Sequence, residues 1–270
     1  MARGATTASC GWGWRSPSDA RWRRAPRRGA GLAPWLRLTL GLCLAAGLAL
    51  AQPAPPPPAE APQALWRQGD FEAAHERAVA HDTPAMQTLA ARAAVDQVAY
   101  VLAPAGAPLE EQLAWLRRGV SAAERAVALD PRSAAALVQL ARAKGEVARR
   151  SGVLQNLNVA GELKELFDRV LALEPDNADA LVGLAMWHLE LVENGVGWLY
   201  GGRRDQVLPL LERGLAAAPQ QVNLHVEHAA ALRALGQEER AREALRRALA
   251  LPATSAVDRA EQRRAEALLR

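Results

Sequence analysis

Cysteine is almost absent from this chain of 270 residues, which contains Cys10 and Cys43 and no others. Both lie within residues 1–51, a segment that has the features of a removable leader, as described below. The chain that remains after removal of this segment would contain no thiol. Disulfide bonds, thiol catalysis and cysteine-ligated metals are therefore excluded from its expected function.

An excess of positive charge is also absent once the leader is set apart. The formal net charge is +4, but residues 1–51 carry eight Arg and one Asp, which leaves 25 basic and 28 acidic side chains in the remaining 219 residues. A protein that binds nucleic acid needs a positive field to neutralise phosphates. The composition therefore argues against a nucleic-acid partner.

Long apolar runs are missing as well. The run in residues 35–51, WLRLTLGLCLAAGLALA, is uninterrupted only after Arg37, for about 14 residues, whereas a membrane-spanning helix needs roughly 20. The basic cluster RWRRAPRR before it and an A-x-A site at its end predict a signal peptide, residues 1–51, cleaved after Ala51. The mature chain is then expected in the periplasm without a stable membrane span. An uncleaved anchor, lipid attachment at Cys43 and a start assigned too far upstream remain alternatives.

What the chain has in abundance is Ala and Leu, arranged in a repeat. Residues 52–60 form a proline-rich linker, and residues 61–270 show helical periodicity with no persistent strand-like alternation. The breaks between helices recur at intervals of 44, 44 and 33 residues, at Pro131, Pro175, Pro219 and Pro252. Each of these prolines has an Arg six residues before it. Self-similarity of this kind predicts a solenoid of helical hairpins over residues 61–270.

One unit carries a nameable resemblance. Gln220–Pro252 resembles a tetratricopeptide repeat (TPR), with VNLHVEHAAALRALG as first helix, Gly236 as turn and QEERAREALRRALALP as second helix. A shorter copy, ALWRQGDFEAAHERAVAHDTP, covers residues 64–84. The resemblance implies an all-α, TPR-like solenoid of about five helix pairs plus a terminal helix. It also implies protein binding without catalytic residues.

The 44-residue units are longer than a TPR, and alignment on their prolines places the additional residues. RRSGVLQNLNV at 149–159 and ENGVGWLYGGR at 193–203 both fall between the two helices of a hairpin, and LAPAGAPLEEQLAW at 102–115 indicates a third insertion. Second helices are then expected to begin near Ala160 and Arg204. Insertions at the same point of successive repeats lie along one edge, which is often the binding face.

The long units also resemble two families. The pattern LxGLAxWHxE followed by LYGG, within residues 125–270, is similar to the TPR-type periplasmic accessory subunit of TRAP solute transporters. It is more loosely similar to the regulator of microtubule dynamics family. The first resemblance implies contact with a solute-binding protein and possible binding of a small apolar ligand. Neither family implies catalytic residues here.

The candidate contacts for a partner are aromatic and apolar residues in and beside the two insertions, because Trp and Tyr are enriched at interface hot spots. They are Trp187, His188, Trp198, Leu199, Tyr200, Leu154 and Leu157. The same aromatic side chains could instead anchor the insertion on the adjacent repeat. An apolar cleft beside them would favour a ligand, whereas an exposed patch would favour a scaffold.

No cofactor or metal site is predicted. His225 and His228 have a spacing that metal sites use, but the sequence places no third ligand. GVGWLYGG lacks the Lys-Ser/Thr pair of a phosphate-binding loop. The predicted function is that of an exported, non-catalytic scaffold or adaptor that binds an envelope or periplasmic protein. The alternative is an accessory subunit of a TRAP-type uptake system.

Overall fold

Twelve α-helices and no strand make up the part of the chain that the computed structural model describes, residues 61–152 and 157–270. The predicted leader and linker lie outside that part, as does the side chain of residue 157. The helices are α1 (Pro62–Gln68), α2 (Phe71–Val79), α3 (Pro84–Gln97), α4 (Leu109–Leu129), α5 (Ala134–Ser151), α6 (Leu157–Leu173), α7 (Ala178–Glu193), α8 (Gly197–Tyr200), α9 (Arg204–Ala217), α10 (Val222–Ala234), α11 (Glu238–Ala250) and α12 (Ala256–Leu269).

Ten of these helices form five successive hairpins: α1–α2, α3–α4, α5–α6, α7–α9 and α10–α11. The short helix α8 lies inside the fourth hairpin, and α12 ends the chain. This confirms the predicted all-α solenoid. None of the helices in the described ranges is both long and apolar enough to cross a membrane.

The two insertions lie between the helices of a hairpin. The first is shorter than expected, because α5 continues to Ser151 and α6 already begins at Leu157. The second runs from the end of α7 at Glu193 to the start of α9 at Arg204, the predicted position. The third insertion is built differently: α3 continues through a π-helical turn, Val98–Leu102, before the connection to α4.

Polar residues directly before the first helices of the second, third and fourth hairpins cap those helices. Thr83, Ser133 and Asn177 each accept a hydrogen bond from the backbone N–H three residues later. This satisfies one of the amide donors that the first turn of a helix leaves unpaired. The turns between hairpins therefore end at residues that favour a new helix.

The periodic arginines join successive hairpins. Arg169 donates to the carbonyl oxygen of Pro131 at 3.3 Å, and Arg213 donates to that of Pro175 at 3.1 Å. Each arginine belongs to a second helix and contacts the turn that precedes its own hairpin. For these two of the four periodic arginines, the spacing in the sequence therefore corresponds to the same contact in successive hairpins.

A buried ionic cluster connects the first helices of three hairpins. Asp96 in α3 is 1% exposed and accepts from Trp66 Nε1 in α1 at 2.7 Å and from Arg142 Nη2 in α5 at 2.6 Å. Arg92 lies with its guanidinium 3.9 Å from the centre of the Trp66 ring. Burial opposes the positive charge of Arg142, yet its pKa is raised because Asp96 lies beside it.

Small residues let the helices of a hairpin approach closely. Ala141, Ala185 and Ala229, each ten residues after a proline turn, are all at most 1% exposed. In the fourth hairpin, a Cβ added at Gly214 would lie 2.9 Å from Val182 Cγ2 and 3.3 Å from the carbonyl oxygen of Ala178. The α7–α9 contact therefore has no room for a side chain there.

Two glycine substitutions are expected to have opposite effects on stability. Gly161→Ala in α6 should stabilise by about 0.5–1 kcal/mol, because its Cβ would meet nothing within 4 Å and Ala favours a helix. Gly214→Ala gains the same propensity, but overpacking against Val182 costs about 1–3 kcal/mol, so net destabilisation is expected. Urea unfolding of the two variants measures this, and stabilisation by both would contradict the close α7–α9 contact.

Candidate functional site

The connections inside the hairpins share one edge of the solenoid, because successive hairpins have the same orientation. In the first and last hairpins these connections are tight turns at Gly69 and Gly236. The other three, residues 103–108, 152–156 and 194–203, are longer. We refer to this side of the molecule as the insertion edge.

The third of these connections has a tightly determined backbone. Gly195 and Gly201 have positive φ angles of 71° and 79°, a conformation that side chains rarely adopt. The N–H of Gly202 donates to the carbonyl of Gly197 at 2.8 Å. A Cβ at Gly202 would lie 2.7 Å from Leu191 Cβ. The glycines of GVGWLYGG therefore fold the segment back onto the end of α7 instead of binding a phosphate.

Trp187 and His188 support this insertion from inside. Trp187 is 6% exposed and donates from Nε1 to the carbonyl of Ala160 at 2.8 Å, which ties α7 to the first turns of α6. Its ring packs edge-on against His188, with 4.9 Å between ring centres. His188 Nδ1 accepts from the N–H of Arg203 at 3.1 Å. Burial, together with Lys164 and Arg203, lowers the pKa of His188, which favours the neutral ring that this contact needs.

The tip of the insertion is exposed. Trp198 is 85% and Leu199 is 53% exposed, whereas Tyr200 is half-buried against the core. Two further exposed apolar residues, Val101 and Leu109, flank the connection between α3 and α4 on the same edge. Both residues lie in or beside the third insertion, whose sequence does not single them out as contacts.

The structure therefore divides the predicted contact residues into two groups. Trp187 and His188 are buried supports, and Trp198 and Leu199 are exposed at the tip. Leu154 and the side chain of Leu157 lie outside the described residues, and α6 begins at Leu157. Contact of any of these residues with a partner stays a prediction.

A cleft of about 320 Å³ lies between α4, α5 and α6. Apolar side chains such as Val120, Val147 and Val159 give most of its accessible surface, and four charged residues also line it: Arg117, Glu124, Lys144 and Glu162. The aromatic residues of the second insertion do not line it. The cleft is therefore separate from the exposed Trp198 tip.

Of the two histidines in α10, His225 is buried and His228 is partly buried. His225 Nε2 lies 2.9 Å from the carbonyl oxygen of Pro219. Burial lowers the pKa of His228 to about 4, so this side chain is neutral at physiological pH. Within residues 61–152 and 157–270, no group of three or more His, Cys, Asp or Glu side chains could hold a metal ion.

Comparison with known proteins supports the fold and nothing finer. No protein-family model matches the chain, and no curated protein matches it either. Among solved structures, the thermophilic TPR protein TTC0263 of Thermus thermophilus is similar with a TM-score of 0.56 and 16% identity, over 77% of this chain and 95% of that chain. MamA aligns over 77% of this chain and 98% of its own at 15% identity, with a lower TM-score of 0.41. The chain therefore has a TPR-like fold.

Proposed function

We propose that this protein is an exported, non-catalytic scaffold that binds a protein of the cell envelope through its insertion edge. The observation that carries the proposal is the exposed pair Trp198 and Leu199, 85% and 53% accessible, on a glycine-shaped turn with buried supports. A large apolar side chain held out in water has no stabilising role in the monomer. It suits a surface that another molecule covers.

The rigidity of the turn supports the proposal energetically. Binding costs less conformational entropy when the contact residue is already fixed. The turn is held at one end by His188 and Arg203 and at the other by the contact of Gly197 with Gly202. Burying a Trp at such a position contributes about 2 kcal/mol or more at many interfaces.

Export rests on the sequence. The basic n-region, the short apolar run and the A-x-A site of residues 1–51 support secretion with cleavage after Ala51. The proline-rich residues 52–60 would then separate the new N-terminus from the folded repeats. An envelope or periplasmic protein is the partner that this location makes available.

A second candidate is an accessory subunit of a TRAP-type uptake system. The motif LxGLAxWHxE and LYGG supports it. The cleft between α4, α5 and α6 offers space for a small ligand, with valine side chains inside and charged residues around them. In this case the insertion edge contacts a solute-binding protein. Native mass spectrometry of protein from its own host separates the two, because a small-molecule adduct would favour the uptake role.

The interaction is tested with the double variant Trp198→Ala, Leu199→Ala. We expect the affinity for the partner captured from the host envelope to fall at least about 30-fold, which corresponds to about 2 kcal/mol. The matched control is Val79→Ala, which removes a 45% exposed apolar side chain at the end of α2, on the opposite edge. Retention of the partner by the double variant, with loss in the control, would reject the insertion edge as its binding surface.

A further inference from the structure

The first and last hairpins are joined by α12. In a linear solenoid each repeat contacts only its neighbours, yet Tyr100, after α3, donates from its hydroxyl to Glu261 Oε1 in α12 at 2.8 Å. At the N-terminal end of α12, a Cβ added at Gly69, in the turn of the first hairpin, would lie 2.8 Å from Ala256 Cβ. The terminal helix therefore lies in a groove between α10 and α11 of the last hairpin, α1 and the end of α3.

The face of α12 that lies in the groove has a buried acidic side chain at its centre. Val257, Glu261 and Ala265 follow one another at four-residue spacing and are 8%, 4% and 0% exposed. A carboxylate thus lies between two small apolar residues. Burial raises the pKa of Glu261, although Arg264 beside it acts in the opposite direction.

Polar contacts account for much of the attachment of α12. Arg264 donates to Glu227 in α10 at 3.0 Å, and Arg233 donates to the carbonyl of Leu268 at 2.6 Å. The buried apolar side chains of α12 are limited to Val257 and Ala265. Leu268 and Leu269 are partly buried against the last hairpin. Since Val257 and Ala265 are small and contribute little burial free energy, the attachment of α12 depends more on polar contacts than that of a core helix.

Without α12, three features of the groove would be left without their contacts. The Tyr100 hydroxyl would need an acceptor, Glu227 would need a cation, and the surface beside Gly69 has room only for a small residue. A helix satisfies all three when it carries a small residue, a carboxylate five positions later and an Arg three positions after that. Residues 256, 261 and 264 of this chain have that arrangement.

We propose that this groove is a helix-binding site, that α12 occupies it in cis, and that an amphipathic helix of a protein partner with the same pattern displaces α12. Because the groove uses neither Trp198 nor Leu199, the proposal does not rest on the proposed function. Displacement would open the contact between the first and last hairpins and leave the hairpins themselves intact.

The test uses the full chain and a fluorescent peptide with the sequence of residues 253–270, ATSAVDRAEQRRAEALLR. A chain with Glu261→Gln and Arg264→Ala holds its own α12 more weakly, so we expect it to bind the peptide about tenfold more tightly than the unchanged chain, as measured by fluorescence anisotropy. A control peptide with Gln in place of its glutamate at position 261 and Ala in place of its arginine at position 264 should bind more weakly. Equal binding of both peptides, or binding to neither chain, would overturn the proposal.

Two further measurements guard against misfolding of the variant. Tyr100→Phe alters the groove and leaves α12 unchanged, so it should weaken peptide binding when introduced into the weakened chain. In the unchanged protein, amide hydrogen exchange of α12 should exceed that of α10 and α11, because local opening follows weak attachment. Equal protection of the three helices would count against a displaceable α12. Trp198→Ala should change neither result, which separates this site from the Trp198 tip.

Discussion

Replacing Asp96 with Ala is expected to lower the free energy of unfolding by about 3 kcal/mol, the lower end of the range for breaking a buried ion pair. The carboxylate of Asp96 receives hydrogen bonds from Trp66 and Arg142, so its removal leaves a buried indole N–H and a guanidinium without their acceptor. The lower end applies because the Arg142 side chain is 33% exposed and water can partly compensate. Urea unfolding followed by circular dichroism measures the change.

Asp82→Ala provides the matched control. Asp82 also pairs with an arginine of another helix, since Arg125 Nε donates to its Oδ1 at 2.7 Å. The side chains of Asp82 and Arg125 are largely exposed, at 60% and 50%, so the loss of stability should be much smaller than that for Asp96. If the two aspartates cost the same on removal, burial would not be what makes the Asp96 cluster important.

The fold could be predicted because the sequence repeats its own boundary signals. A proline turn, a polar cap such as Asn177 and a small residue such as Ala185 recur together, and each acts locally. The arginine six residues before each proline was visible as a pattern, but its function was not. Its acceptor, the carbonyl of Pro131 for Arg169, lies in the preceding turn, and no local rule identifies it.

Contacts between distant repeats could not be predicted. Tyr100 and Glu261 are 161 positions apart, and Glu261 in α12 has the sequence character of a solvated surface residue. The π-helical turn Val98–Leu102, which places Tyr100, has no distinct sequence signal either. The sequence predicts a terminal helix after the last helix pair but gives no sign of its contact with the first hairpin.

The sequence singles out the segment of the candidate site but does not show which of its side chains are buried and which are exposed. Trp187 and Trp198 lie eleven residues apart in the same motif, and hydrophobicity alone treats them alike. The break in the helix after Glu193 changes the direction of the chain, so helical periodicity no longer reports which face a side chain occupies. Burial then separates them, with 6% of Trp187 and 85% of Trp198 accessible to solvent.

These two tryptophans give the second large prediction. Trp187→Ala should lower the free energy of unfolding by about 3–5 kcal/mol, because it leaves a cavity between α6 and α7 and removes the hydrogen bond to the carbonyl of Ala160. Trp198→Ala should change stability by less than about 0.5 kcal/mol, since its ring has few contacts to lose. Thermal and urea unfolding of the two single variants provide the comparison.

Binding assays on the same two variants connect stability to function. Trp198→Ala should reduce partner binding at temperatures where the variant is fully folded, whereas Trp187→Ala should reduce it in proportion to unfolding or to loss of order in the insertion. If Trp198→Ala destabilised the fold as much as Trp187→Ala, the tip would be an anchor for the adjacent repeat. The insertion edge would then lose its main apolar contact, and a partner would have to bind elsewhere on the solenoid.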